Sequence, residues 1–343
     1  VKLDVILDTR GDPHDLAALG RLAERFGLRG AWVSSLADSR DPFTNLALMA
    51  ATTRRLRLGP IAVNPFDIHP VRIASALLTL NELAQGRAAI VIGGGGEALE
   101  ALGIRPDRRV RAVREAVGII RAAASGQPLD HVGELYRASR LQLGWLSAPA
   151  PLLLVGASQP QMLRMAAACA DGIMMSDMPP AASAAALATL DHALAEHGRS
   201  RPAFSSSAFT ALHLHEDPAD SRREARRWLL LRGIFRPWLL EQFLAPADVR
   251  LVMDSKAAFI RAYAAGSHEV DGVPGPVLDA LVDHVTLCGG TRRLGPVLER
   301  LLELRAAGLD SVALRLYANP ARTLRLLGRE VLPALGLAAT GDC

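Results

Sequence analysis

Apolar positions along this chain come in two alternating kinds of block. Lys2–Leu7 is a nearly continuous apolar run, as a strand buried on both faces requires, and it ends at Asp8-Thr9-Arg10-Gly11. Asp12-Pro13 then opens a helix, with a capping carboxylate, proline at the first helical position and Asp15 in the first turn. Leu16, Leu19, Leu22, Ala23 and Phe26 follow at helical spacing until Gly27 stops it. The alternation repeats. Residues 30–35 predict a second strand, Asp41-Pro42 a helix through Leu46, Met49 and Ala50, and residues 56–63 a third strand. His69-Pro70 opens a helix over 71–84, and a fourth strand covers 88–92.

Further along, a helix is expected over 109–124, and residues 127–150 read as a short hairpin or extended excursion. Strands follow at 152–155, 171–175 and 204–214, with helices opening at Pro160 and spanning 180–197. Residues 218–290 break the rhythm and read as a mostly helical insertion between late strands. A helix at 291–307, an eighth strand over Ser311–Leu316 and a closing helix at 320–334 complete the chain. Strands alternating with helices over short connections predict parallel pairing with right-handed crossovers. Eight such units make the expected fold an α/β class (β/α)8 TIM barrel, a single domain over residues 1–343, rather than an open doubly wound sheet.

Composition narrows the function classes. At 343 residues and 50% apolar, the chain buries a large core. Thirty-nine basic residues against 35 acidic give a net charge of +4, with the arginines spread along helices rather than gathered in a nucleic-acid stripe. Cys169, Cys288 and Cys343 lie far apart, without zinc spacing or a disulfide framework. No signal segment and no membrane-length apolar run stands out, so the expectation is a cytoplasmic protein acting on a small molecule, without nucleic acid, membrane or metal.

Barrel ligands sit at the C-terminal ends of strands, which directs attention to two stretches. The fourth strand empties into Gly93, Gly94, Gly95 and Gly96, followed at once by Glu97. Four glycines exceed the needs of a turn; they let backbone N–H groups approach a ligand. Glu97 would stand at the mouth as a proton donor, or else cap a helix. The second stretch is Gly156-Ala157-Ser158-Gln159-Pro160, where a strand gives way to a helix start able to attract an anion. A serine there is equally a plain cap. His69 shapes a turn before Pro70, while His213 and His215 alternate on a strand without further ligands to make a metal site.

Together these residues resemble the luciferase-like monooxygenase superfamily, and within it the branch that uses the deazaflavin coenzyme F420, in particular the methylenetetrahydromethanopterin reductases. Three segments carry the resemblance: LGPIAVNPFDIHPVRIASALLTLNELAQGRAAIVIGGGGEALEALG, RVRAVREAVGIIRAAASG and VGASQPQMLRMAAACADGIMMS. The closing AAGLDSVALRLYANP and EVLPALG extend it over nearly all the chain except about residues 200–290. The resemblance implies a non-prolyl cis peptide at Ile61-Ala62, bulging against the cofactor ring. It assigns cofactor contacts to Ser35, Ile61, Ala62, Val63, Asn64, the four glycines Gly93, Gly94, Gly95 and Gly96, and Gly156, Ala157, Ser158 and Gln159. It makes Glu97 the catalytic acid. A homodimer is compatible with it.

This chain departs from the branch at two points. Ser35-Leu36 stands where the deazaflavin enzymes place Asp-His, and Ile6 where the reductases carry an acid; Asp8 and Asp38 are the nearest substitutes. The expected function is an oxidoreductase passing a hydride between coenzyme F420 and a small organic substrate. The alternatives are an FMN-dependent monooxygenase and a barrel that has lost its chemistry.

Overall fold

The computed structural model describes residues 1–96 and 98–337. Eight strands form the ring: β1 (Lys2–Leu7), β2 (Gly30–Ser34), β3 (Arg57–Ile61), β4 (Ala89–Ile92), β7 (Leu152–Gly156), β8 (Gly172–Ser176), β9 (Ser205–His215) and β11 (Ser311–Leu316). Every pairing around it is parallel, in the order β3-β2-β1-β11-β9-β8-β7-β4. Bridges Leu58↔Ala88 and Val63↔Ile92 join β3 to β4 and close the ring. All eight expected barrel strands are therefore present. β5 (Leu129–Val132) and β6 (Arg137–Leu141) make the expected hairpin outside it.

The side-chain period of two decides what fills the barrel. Ile6, Trp32, Ile61, Ala89, Val91, Leu154, Met174 and Ala313 point inward and pack as one cluster. The alternate residues point outward against the helices and join the larger core. Helices start where the sequence placed their signals. Asp12 accepts from the His14 N–H at 2.8 Å and Asp41 from the Thr44 N–H at 2.7 Å, caps contributing about 1 kcal/mol each. Among the described residues no helix is long and apolar enough to cross a membrane.

The insertion holds helices Pro218–Arg227, Pro237–Leu240, Pro246–Asp254, Lys256–Ala265 and Gly275–Val285. Its end corrects the sequence expectation. Residues 286–290 are a strand, β10 (Thr286–Gly290), and the next helix begins only at Gly295. The reason is β9, which runs beyond its ring partners to His215 and leaves ladder groups that need a partner. β10 takes them, in register Thr286↔Ala211 through Gly290↔His215. Thus the insertion is tied back onto the C-terminal end of a barrel strand.

Candidate active site

The C-terminal ends of the ring strands open on one mouth, and its two walls, which adjoin where β7 pairs with β8, differ in kind. The first is made by β3, β4 and β7, neighbours in the ring. The peptide Ile61-Ala62 is cis, as the resemblance implied. Ile61 closes the interior cluster from above, and Ala62 is exposed. The backbone around this step is held on both sides. Ser35 donates its N–H to the Ile61 carbonyl at 3.0 Å, and Val63 donates to the Val91 carbonyl at 3.0 Å. The Val63 carbonyl accepts from Gly93 N–H at 2.8 Å.

Asn64 spends its side chain locally. Its Oδ1 accepts from the N–H groups of Phe66 and Asp67 at 3.0 and 3.3 Å, and its Nδ2 donates to the Asp67 carboxylate at 3.1 Å. The carboxamide thus closes a turn, which occupies its oxygen and one of its two N–H donors. His69 accepts from Val71 N–H at 3.2 Å, the turn-shaping role read from its place before Pro70.

The two glycine stretches meet. A side-chain carbon on Gly93 would lie 3.1 Å from Ala62 Cβ, and one on Gly156 would lie 3.7 Å from Gly93 Cα. Gly95, at φ +77°, is where glycine is indispensable, because a Cβ would come within 2.2 Å of Leu99 Cδ1. Among the described residues, the N–H groups of Gly94, Gly95 and Gly96 have no backbone acceptor. Ala157 is buried and donates to Met174 O at 3.3 Å, whereas Ser158 and Gln159 are more exposed. Gln159 makes no side-chain cap, so the first N–H groups of helix Pro160–Cys169 stay open toward this side. Arg109 packs against the same loop, its Cβ 3.4 Å from where a Gly94 Cβ would be. Sequence reasoning passed over this cation. Glu97, the expected acid, lies outside the described residues.

This wall has the features a flat cofactor with a phosphate-bearing tail needs: an exposed backbone step, a surface free of side chains, open N–H groups at a helix start and one arginine. The alcove between Gly93 and Gly156 is the space that side chains would otherwise fill.

The second wall is made by β8, β9 and β11; its middle strand, β9, is three positions from β4 in the eight-strand ring. It is built from charged and aromatic side chains. Asp177, directly after β8, is buried and accepts from Arg232 at 3.2 Å and from Ser176 Oγ at 2.9 Å. Arg232 comes from the insertion, is 2% exposed, and also donates to Tyr317 Oη at 2.8 Å. Burial opposes its charge, but the neighbouring Tyr317 and Asp177 outweigh that and hold its pKa above the ordinary value. Tyr317, directly after β11, stacks on His213 at 5.2 Å and on Trp228 at 4.1 Å. Burial, with Asp177 adding to it, pushes the Tyr317 phenol up and keeps it protonated.

His213 Nδ1 and His215 Nε2 both bond Glu224 Oε2, at 2.8 and 2.9 Å. Burial pushes the His213 pKa down despite that carboxylate, so the ring is neutral at pH 7, with its Nδ1–H donating to Glu224. Arg315 bonds Ser34 Oγ and lies over the Tyr317 ring, linking this wall to the end of β2. The two carboxylates weighed as substitutes lie at the rim: Asp38 pairs with Arg10 at 3.0 Å, and Asp8 accepts from the Arg10 N–H at 3.0 Å. Ile6 is in the barrel interior, below the mouth.

Sequence reading missed the second wall. Asp177 and Tyr317 carried a usable signal, because each directly follows a barrel strand on the ligand side. Glu224 and Arg232 carried none, since only the folded insertion brings them to β9.

Comparison with known proteins agrees with this architecture. A family model described as luciferase-like monooxygenase matches residues 2–311. A 5,10-methylenetetrahydromethanopterin reductase of Archaeoglobus fulgidus is 30% identical over 328 residues, 94% of this chain and 96% of that protein. An F420-dependent glucose-6-phosphate dehydrogenase of Beutenbergia cavernae is 33% identical over 179 residues, 47% of this chain and 52% of its own. Among solved structures, the coenzyme F420 dependent tetrahydromethanopterin reductase of Methanopyrus kandleri superposes with a TM-score of 0.81 at 21% identity, covering 97% of this chain and 99% of that one. By the extent of these matches, the chain belongs to the luciferase-like monooxygenase family.

Proposed function

We propose that this protein is a coenzyme F420-dependent oxidoreductase that uses the two walls for different tasks. The observation that carries the reading is the pairing of a side-chain-free wall at Ala62, Gly93 and Gly156 with a buried polar and aromatic wall across the same mouth. A relative that matches nearly the full chain bears the name 5,10-methylenetetrahydromethanopterin reductase, and a solved structure that superposes on the chain is named as a coenzyme F420 dependent tetrahydromethanopterin reductase. Bound against the first wall, the deazaflavin would supply a hydride donor or acceptor.

The N–H groups of Gly94, Gly95 and Gly96, the Ser158 hydroxyl and Arg109 would bind its tail. The Ile61-Ala62 step would abut its ring. Tyr317 accepts its hydrogen bond from Arg232, so its own hydroxyl hydrogen is left for a substrate in the mouth. Raised in pKa by burial, Tyr317 acts as a neutral donor at pH 7. Arg232 and Asp177 hold the phenol in place, and Glu224 fixes the tautomer of the His213 ring stacked on it. Glu97 is the second proton-carrying group, by its place after the glycine loop. The substrate class we favour is a reduced pterin carrying a one-carbon unit, following the name of the Archaeoglobus fulgidus relative.

The test is anaerobic mixing of the protein with reduced coenzyme F420 and methylenetetrahydromethanopterin, watching the oxidised deazaflavin absorbance return. Return that requires both protein and pterin supports the reading. Tight FMN binding with no deazaflavin binding, or oxygen-dependent turnover with reduced FMN, replaces it with the monooxygenase reading. A Glu97→Gln variant that binds cofactor and turns over at the full rate removes Glu97 from the mechanism.

A further inference from the structure

At the opposite end of the barrel from the mouth lies a second built site. A cavity of about 550 Å³ opens there, lined by Arg29, Arg55, Arg57, Arg87 and Arg121, with Asp171 as its one lining carboxylate. Four of the arginines come from the N-terminal ends of ring strands and the turns entering them, and Arg121 from the last turn of the helix Arg109–Ala123. Arg57 begins β3 and shares the inward parity of Ile61, which packs in the interior cluster. Beneath it the barrel is plugged by Trp32 and by Asp4, whose carboxylate accepts from Trp32 Nε1 at 3.1 Å.

Three of the arginines have jobs in the fold. Arg87 ties the Ala50, Thr53 and Leu56 carbonyls together at 2.6–2.9 Å. Arg29 bonds Asp4 at 2.9 Å and Ser311 Oγ at 2.7 Å. Arg121 bonds Asp171 at 2.6 Å. Arg55 and Arg57 are different: neither guanidinium makes a hydrogen bond or ion pair among the described residues. Arg57 is partly buried beside Arg29, and burial together with that like charge depresses its pKa. Four carboxylates act on the five arginines: Asp171 and the buried Asp4, with Glu24 near Arg55 and Arg87 and Asp310 near Arg29, yet none of them bonds the Arg55 or Arg57 guanidinium. Two guanidiniums without a bonded partner among the described residues line one cavity, and an anion with several oxygens can engage both.

We propose that this cavity is an anion site for an oligophosphate group, engaged chiefly by Arg57 and Arg55. Guanidinium forks suit phosphate oxygens, and the site is separate from the glycine loops at the mouth. It is independent of the cofactor reading.

The probe is inorganic pyrophosphate, titrated calorimetrically into the full chain against sodium chloride of equal ionic strength. Binding that weakens at least tenfold in both Arg57→Gln and Arg55→Gln, and stays unchanged in Ser158→Ala, supports the proposal. Neither guanidinium bonds the fold, so both variants should keep the wild-type melting temperature, which the same samples report. No pyrophosphate binding by the wild-type chain at millimolar concentration overturns it. So does equal binding by wild type and the two arginine variants, or loss of binding in Ser158→Ala alone, which would assign the phosphate to the mouth.

Discussion

The two walls of the mouth are made of different material. Around Ala62, Gly93 and Gly156 the surface is backbone, and its polarity comes from N–H groups fixed by the strand ends. Around Asp177, His213 and Tyr317 it is side chain, with an arginine and an aspartate each no more than 2% exposed. A backbone surface cannot be tuned by exchanging charges, and it suits a ligand shared across a family. A side-chain surface changes with a few substitutions, and it suits whatever distinguishes one member from another. On the proposed reading, that difference assigns the cofactor to the backbone wall and substrate discrimination to the side-chain wall.

The second wall should break first and hardest. Arg232→Met leaves the Asp177 carboxylate buried without its cation, an arrangement that typically costs about 3–5 kcal/mol. A urea titration should show that loss, and adding Asp177→Asn should recover a good part of it. If the single variant is as stable as wild type, the pair is not the keystone of that wall. On the first wall the expected loss is in binding rather than stability. Gly156→Val has room for its Cβ, 3.7 Å from Gly93 Cα, but its methyl groups fill the alcove. Affinity for coenzyme F420 should drop at least tenfold, about 1.4 kcal/mol, with the melting temperature nearly unchanged.

Smaller effects sharpen the contrast. Tyr317→Phe keeps the ring stack but leaves one Arg232 N–H without its acceptor, a stability cost of about 1 kcal/mol. Turnover, which uses the lost hydroxyl, should suffer more than that. The mildest prediction concerns pH. His213 has a folded pKa below its unfolded value of about 6.5, so the unfolded chain binds the proton first. The stabilisation is complete above that value and drains away as pH falls through the folded pKa. Denaturation midpoints should therefore decline more steeply from pH 7 to 5 in wild type than in His213→Asn; identical slopes would show that His213 is not a buried neutral ring.

The same contrast explains what the sequence could tell. Most ring strands were visible because a strand buried on both faces must be a short apolar run between turn residues, and the first helices carried a capping residue and a proline at Asp12-Pro13, Asp41-Pro42 and His69-Pro70. The first wall was visible for a related reason: glycines needed for backbone approach leave a local mark, at Gly93 to Gly96 and at Gly156. The second wall assembles residues 177, 213, 224, 232 and 317, and no local pattern links them. β10 was read as helical because its five residues gain a strand's conformation only from the exposed ladder of β9. The turn that the Asn64 carboxamide closes with Phe66 and Asp67 was not legible from sequence spacing alone.

The division of labour meets its sharpest test in one paired experiment: coenzyme F420 titrated into Gly156→Val and Tyr317→Phe beside wild type, with turnover measured on the same samples. Gly156→Val should bind the cofactor at least tenfold more weakly, whereas Tyr317→Phe should bind it as wild type does and lose most of its turnover. Wild-type affinity in Gly156→Val, together with lost affinity in Tyr317→Phe, would put the cofactor on the other wall and contradict the assignment.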